Sequence, residues 1–313
     1  MRASHRLLLV AFAFATLAAC SDGNDSFPAV VLLPGCADNN SCVANPPLEI
    51  GGERSSIVFI PSDFDPNKRY PLVVVLHGFG ADGRIQSNYL GFRQRVDAAQ
   101  FILVAPDGTL NDAGDRFWNA TEACCARTEE ARQIDDVAYI SGLIREAAAT
   151  YSIDSTRVAL FGHSNGGFMA LRMACEASEI VTTVINLAGS AFAEEEMCGP
   201  ATYPVSVMAL HGTDDATIPY DGSTVSGFEF PSAPETARRY AVLAGCDPDS
   251  TTPDTDLDLD AFAEGAETER HAFNNCIRGA AVELWTINGG PHIPFWTAGG
   301  VDEMLSWLLT HPR

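Results

Sequence analysis

The sequence is poor in positive charge and nearly without lysine. Lys68 is its single lysine, and 19 basic residues stand against 41 acidic ones. A formal charge of −22 at pH 7 repels nucleic-acid phosphates and anionic lipid headgroups. Nucleic acid is therefore not an expected partner, and neutral or cationic substrates suit the surface. No Cys-x-x-Cys pair occurs and the histidines are scattered, so neither a metal nor a cofactor is expected. No apolar run reaches the roughly eighteen residues that a membrane-spanning helix needs. Internal repeats are absent too. What is present is a globular composition, 46% hydrophobic over 313 residues, enough to build one domain around a large core.

Arg2 and Arg6 precede a short apolar run, Leu7 to Leu17, which ends in Leu17-Ala18-Ala19-Cys20. Small residues before a cysteine resemble a bacterial lipoprotein signal. Residues 1–19 are then removed and Cys20 carries the lipid. The expected location is the cell envelope, with the lipid anchor as the only membrane contact, or the medium. Loss of Arg2 and Arg6 leaves 17 basic residues against 41 acidic ones, a charge of −24. Residues 20–48 are rich in Ser, Asp, Asn and Pro and read as a flexible tether. Cys20 aside, eight of the nine cysteines remain, an even number that suits an oxidising compartment. Proximity pairs Cys36 with Cys42, Cys124 with Cys125, Cys175 with Cys198, and Cys246 with Cys276. The adjacent pair would stiffen the loop that carries Trp118.

From residue 49 to 313 the chain reads as one domain. Continuous apolar runs at Leu72–Leu76, Phe101–Val104, Arg157–Phe161, Ile180–Leu187, Val205–Leu210 and Ala281–Ile287 predict strands buried on both faces. Helical patterns at 84–100, 136–150, 164–175, 233–244 and 300–310 alternate with them. Such alternation predicts an α/β fold with a mostly parallel sheet covered on both sides. The acidic stretch 247–260 reads as a surface excursion. Its alternating aspartates, Asp254, Asp256, Asp258 and Asp260, lack the glycine and the closing bidentate acid of a calcium loop and read as a solvated strand face.

Gly162-His163-Ser164-Asn165-Gly166 lies between a strand and a helix. A serine is lifted above a sheet only by a sharp reversal, and glycines on both sides permit the close packing this requires. The following helix aims its N-terminal N–H groups at the site, where they favour developing negative charge. Ser164 is thus the candidate nucleophile, and it needs a base. In this kind of fold the order is serine, acid, histidine. His292 follows the last strand through Gly289-Gly290-Pro291. His271 falls inside a strand-like run and His311 lies at the end of the chain. His292 is the candidate base. The acid belongs just after Val205–Leu210, where Asp214 and Asp215 both fit. The backbone N–H of Asn165 and that of Phe79, in Leu76-His77-Gly78-Phe79-Gly80, are the candidate oxyanion donors. His77 and His163 read as structural.

The chain resembles the polyhydroxybutyrate depolymerase-like esterases, a group that includes feruloyl esterases and secreted lipoprotein esterases. The resemblance spans roughly residues 50–310 and rests on several short matches. They are Leu76-His77-Gly78, Pro106-Asp107-Gly108, Trp118-Asn119 with Cys124-Cys125, Asp135-Asp136-Val137, the serine elbow, His211-Gly212-Thr213-x-Asp215 and Gly289-Gly290-x-His292. It implies an α/β-hydrolase fold and points to Asp215 rather than Asp214 as the acid. It implies hydrolysis of short to medium acyl or aryl esters, with polyesters as a further substrate, through an acyl-enzyme. A feruloyl esterase acting on plant cell-wall esters and an acyltransferase on the same triad are the alternatives. The sequence departs from the family after the histidine, where Ile293-Pro294-Phe295-Trp296 replaces the usual Thr-Trp-Pro-Gly. Trp118, Phe295 and Trp296 are the candidate substrate contacts, with inward packing the competing role for the last two. A monomer is expected.

Overall fold

The computed structural model describes residues 33–313 except Ser226. The expected signal segment and the lipidation at Cys20 lie outside the described residues. Ten strands form one sheet among the described residues. In chain order they are β1 (Glu49–Ile50), β2 (Ser56–Phe59), β3 (Tyr70–Leu76), β4 (Ile102–Ala105), β5 (Ile153–His163), β6 (Thr183–Leu187), β7 (Ser206–Gly212), β8 (Asp247–Leu257), β9 (Thr268–Asn274) and β10 (Val282–Ile287). They lie side by side in the order β1-β2-β4-β3-β5-β6-β7-β10-β9-β8. The six from β4 to β10 run parallel, and they are the apolar runs read from the sequence. The outer strands pair antiparallel at both edges.

Burial on both faces follows from the two-residue period of a strand. With Gly83–Tyr89 as helix α1, Leu72, Val74 and Leu76 of β3 pack with helices α2 (Asp136–Thr150) and α3 (Asn165–Glu176) on one side. Val73 and Val75 point the other way, into a core with Met304, Leu305 and Leu308 of the C-terminal helix, Ala298–Thr310. Each such side chain, removed from water, contributes about 1.5–3 kcal/mol. This is the expected α/β-hydrolase architecture.

Three expectations change. The helix read over 84–100 is broken into Gly83–Tyr89, a 3-10 turn at Arg93–Arg95 and a last turn at Val96–Ala99. Gly91 sits between them at φ +66°, a conformation that ends a helix. The acidic excursion at 247–260 is largely an edge strand, β8, that begins well before the strand face read from its alternating aspartates, because β9 offers it a ladder. The tether is packed from Leu33 onward. Leu33 and Cys36 are buried, Asp38 pairs with Arg69 at 2.7 Å, and the Tyr151 hydroxyl donates to the Pro47 carbonyl at 2.7 Å. Composition signalled a linker, but the Cys36–Cys42 bridge closes this segment into a small knot with an apolar face. All four cysteine pairings chosen by proximity are formed.

Candidate active site

Ser164 sits at the turn between β5 and α3 with φ 53° and ψ −121°. For a residue with a side chain this is a strained backbone, held by its surroundings. The Ser164 N–H donates to the Leu187 carbonyl at 2.8 Å, and its own carbonyl accepts from Gly167 and Phe168. The flanking glycines are obligatory on steric grounds. A Cβ on Gly162 would lie 1.9 Å from the Gly166 carbonyl oxygen, and one on Gly166 would lie 2.2 Å from that of Leu76. This close approach brings the loop after β3 against the serine. A Cβ on Gly78 would be 3.4 Å from Ser164 Cβ, and Phe79 is the next residue.

β7 and β10 are neighbours in register, Gly212 beside Ile287, so the loops leaving them run together. Asp214 N–H donates to the Gly290 carbonyl at 3.0 Å, and Gly289 N–H to Thr213 Oγ1 at 2.8 Å. Within this zipped pair His292 Nδ1 donates to Asp215 Oδ2 at 2.7 Å. A carboxylate only accepts, so the proton sits on Nδ1 and neutral His292 keeps the Nε2 lone pair for base chemistry. Asp215 is buried, and its other oxygen accepts from the N–H groups of Thr217 and Ile218, both at 2.8 Å. His211 Nε2 is shared between the Ile218 carbonyl at 2.8 Å and Asp215 Oδ2 at 3.2 Å. Burial pushes the Asp215 carboxyl up, but the hydrogen bonds from His211, His292 and Ile218 outweigh it. The group is held well below the ordinary carboxylate range. Asp214 is exposed.

His163, next to Ser164 in the chain, was read as structural, and its place is more specific. Its Nε2 donates to the main-chain carbonyl of His292 at 3.0 Å, and the two rings lie 5.0 Å apart. Burial, aided by the nearby His292, lowers its pKa to about 4, so it is a neutral donor near pH 7. Tyr89, from the helix Gly83–Tyr89, donates to the Pro294 carbonyl at 2.8 Å and packs against His163 and Trp296. Two hydrogen bonds thus hold the backbone that carries His292. Nothing at Tyr89 marks this in the sequence, since the contact spans 205 residues.

The remaining candidates separate. Trp118 is wholly buried, which removes it as a substrate contact. Its indole N–H donates to the His77 carbonyl at 3.0 Å. Its backbone exchanges two bonds with the Asn165 side chain, at 2.7 and 2.9 Å. The tryptophan is a strut that ties its loop to the nucleophile's helix. His77 Nδ1 donates to the Gly78 carbonyl and Nε2 accepts from Gly108 N–H, both at 2.8 Å, so it fixes the loop as expected. Asp136 is likewise scaffolding. It accepts from Arg54 and from Asn119 N–H. Phe295 is 56% exposed, three residues past His292, and Trp296 is half-buried against Tyr89. A cavity of about 510 Å³ opens beside Phe79, between the hairpin that pairs Thr109–Leu110 with Arg116–Phe117 and the segment 125–134.

Residues 60–226, more than half of the chain, match the phospholipase/carboxylesterase family. A probable feruloyl esterase C of Aspergillus niger is 28% identical over 69% of this chain and 71% of that protein. Feruloyl esterase B of Piromyces equi is 27% identical over 76% of this chain, which spans 42% of that longer protein. The acetyl xylan esterase of Aspergillus awamori shares the fold, with a TM-score of 0.61 at 15% identity, over 83% of this chain and 97% of that one. On the family match, with the fold already described, the chain belongs to the phospholipase/carboxylesterase family and is a carboxylic ester hydrolase.

Proposed function

We propose that Ser164, Asp215 and His292 carry the hydrolysis as a nucleophile, an orienting acid and a general base. His292 Nε2 takes the hydroxyl proton as Ser164 Oγ attacks the ester carbonyl carbon. The oxyanion is held by the N–H groups of Phe79 and Asn165, at the loop after β3 and the N-terminus of α3. Collapse breaks the bond to the alcohol, which leaves with the proton from His292. Water, deprotonated by the same nitrogen, attacks the acyl-enzyme and frees the acid and Ser164. Asp215 keeps Nδ1 protonated and stabilises the imidazolium that forms twice in each cycle. The observation that carries this reading is the 2.7 Å hydrogen bond between His292 and buried Asp215, on a loop tied to the residue before Ser164.

The substrates are short to medium acyl or aryl esters, with polyesters as a side activity. Exposed Phe295 beside His292 and the named activity of the feruloyl esterases support an aromatic component. Export is supported by the four disulfides, and Cys20 is the residue that takes the lipid. The test of substrate range is an acyl-length series of p-nitrophenyl esters, with methyl ferulate and a polyester film. Highest kcat/KM is expected at short to medium chains. An optimum at long chains would contradict the reading.

A further inference from the structure

The cavity beside Phe79 has no role in the chemistry above, and its position relative to His292 gives it one. In any ester cleaved by this route the leaving alcohol must take its proton from His292, so the alcohol lies on the histidine's side of Ser164. The carbonyl oxygen points at the oxyanion donors, and the acyl group extends the opposite way. His292 follows β10, three strands to one side of β5. The hairpin that walls the cavity follows β4, two strands to the other side. No residue of the 289–296 loop lines the cavity, whereas Phe79 does. The residue assigned as an oxyanion donor is thus also the cavity's threshold.

We propose that this cavity is the acyl site, and that it selects uncharged acyl groups of aryl size over small ones and over those bearing a carboxylate. The inference rests on the proposed roles of Ser164, His292 and Phe79. At about 510 Å³ the space far exceeds an acetyl group and lies within the range of small-molecule pockets. Phe79, Phe117, Leu110 and Ile134 supply apolar and aromatic wall. The charged wall is unbalanced: Asp112, Asp115 and Glu130 stand against Arg127 alone, which lies 5.9 Å from the Phe79 ring. A carboxylate on the acyl group would enter a field of its own sign, whereas hydroxyl or methoxy substituents would find acceptors and donors.

The experiment holds the leaving group constant. p-Nitrophenyl acetate, p-nitrophenyl 3-phenylpropanoate and the 4-carboxy analogue of the latter are compared with the full-length enzyme. The phenylpropanoate is expected to exceed its carboxy analogue at least ~tenfold in kcat/KM. In Ala131→Phe, which fills the cavity, the phenylpropanoate-to-acetate ratio is expected to fall at least ~tenfold. In the Asp115→Asn/Glu130→Gln variant, which keeps the shape, the carboxy-to-neutral ratio is expected to rise about fivefold. Each variant's thermal unfolding is recorded, so that a misfolded filling variant leaves the charge variant to decide. The acyl assignment is overturned if neither ratio moves. It is also overturned if Ala131→Phe instead changes the preference among alcohols in a series of acetate esters. Activity on p-nitrophenyl acetate that survives Ser164→Ala would overturn the underlying mechanism instead, so the two failures are distinguishable.

Discussion

Asp214 and Asp215 are adjacent in sequence and opposite in environment. The first faces solvent, and the second is buried with its oxygens taken by two backbone N–H groups and two histidines. Asp215→Asn removes the acceptor that holds Nδ1 protonated, and kcat is expected to fall by about 10³–10⁴-fold. Asp214→Asn is expected to stay within about threefold of wild type, because its carboxylate is not the group that meets His292. Steady-state kinetics of the pair decide it, and equal mild effects would remove Asp215 from its role. Residue chemistry read from the sequence left these two open, since both stand at the end of one strand. Only the family pattern separated them. Trp118 was misread for a related reason. A tryptophan in a loop does not declare whether its ring faces substrate or a neighbouring carbonyl, and the answer lay in the Asn165 side chain 47 residues away.

At the scale of elements, the helix Ala233–Leu243 shows how local sequence fixes a boundary. Ser232 caps it by accepting from Glu235 N–H, and Pro234 lies in its first turn. The Glu235 carboxylate accepts from Arg238 and Arg239 one turn on, at 2.7–2.9 Å. These hydrogen bonds, Arg238 first, lower its pKa to about 2. A depressed folded-state pKa stabilises above the unfolded value near 4.5 and loses that stability as pH falls toward 2. Glu235→Gln is therefore expected to cost about 0.5–1 kcal/mol at pH 7 and progressively less below pH ~4.5. Thermal unfolding at pH 7 and pH 3 measures it, and a cost that grows on acidification would contradict the assignment. The buried parallel strands were legible because an apolar run covered on both faces has one reading. The edge strand β8 was legible only in part: the alternating aspartates read as a solvated strand face, but the strand's start at Asp247 is decided by pairing with β9 rather than by its own composition.

At the scale of the molecule, two bridges, Cys175–Cys198 and Cys246–Cys276, join separate segments, while Cys36–Cys42 and Cys124–Cys125 each close a short local loop. Cys246–Cys276 spans 30 residues and ties the end of the helix Ala233–Leu243 to the turn between β9 and β10. Replacing both with serine is expected to cost about 3–4 kcal/mol through restored freedom of the unfolded chain. Urea unfolding under non-reducing conditions tests this, and an unchanged midpoint would show that the bridge adds no stability. The pairing was legible from spacing in an exported chain. The docking of residues 33–48 was not, because a polar segment with a closed loop has the composition of a linker.

The central claim is that Ser164 is the nucleophile, and covalent labelling tests it most directly. The intact enzyme is treated with a fluorophosphonate, digested and mapped by mass spectrometry, and Ser164→Ala is treated in parallel. The account predicts one adduct, on the peptide containing Ser164. It predicts none in the variant, which should also lose at least ~10³-fold in kcat on p-nitrophenyl acetate while unfolding at the wild-type temperature. An adduct on another residue, or near wild-type turnover by Ser164→Ala, would contradict it.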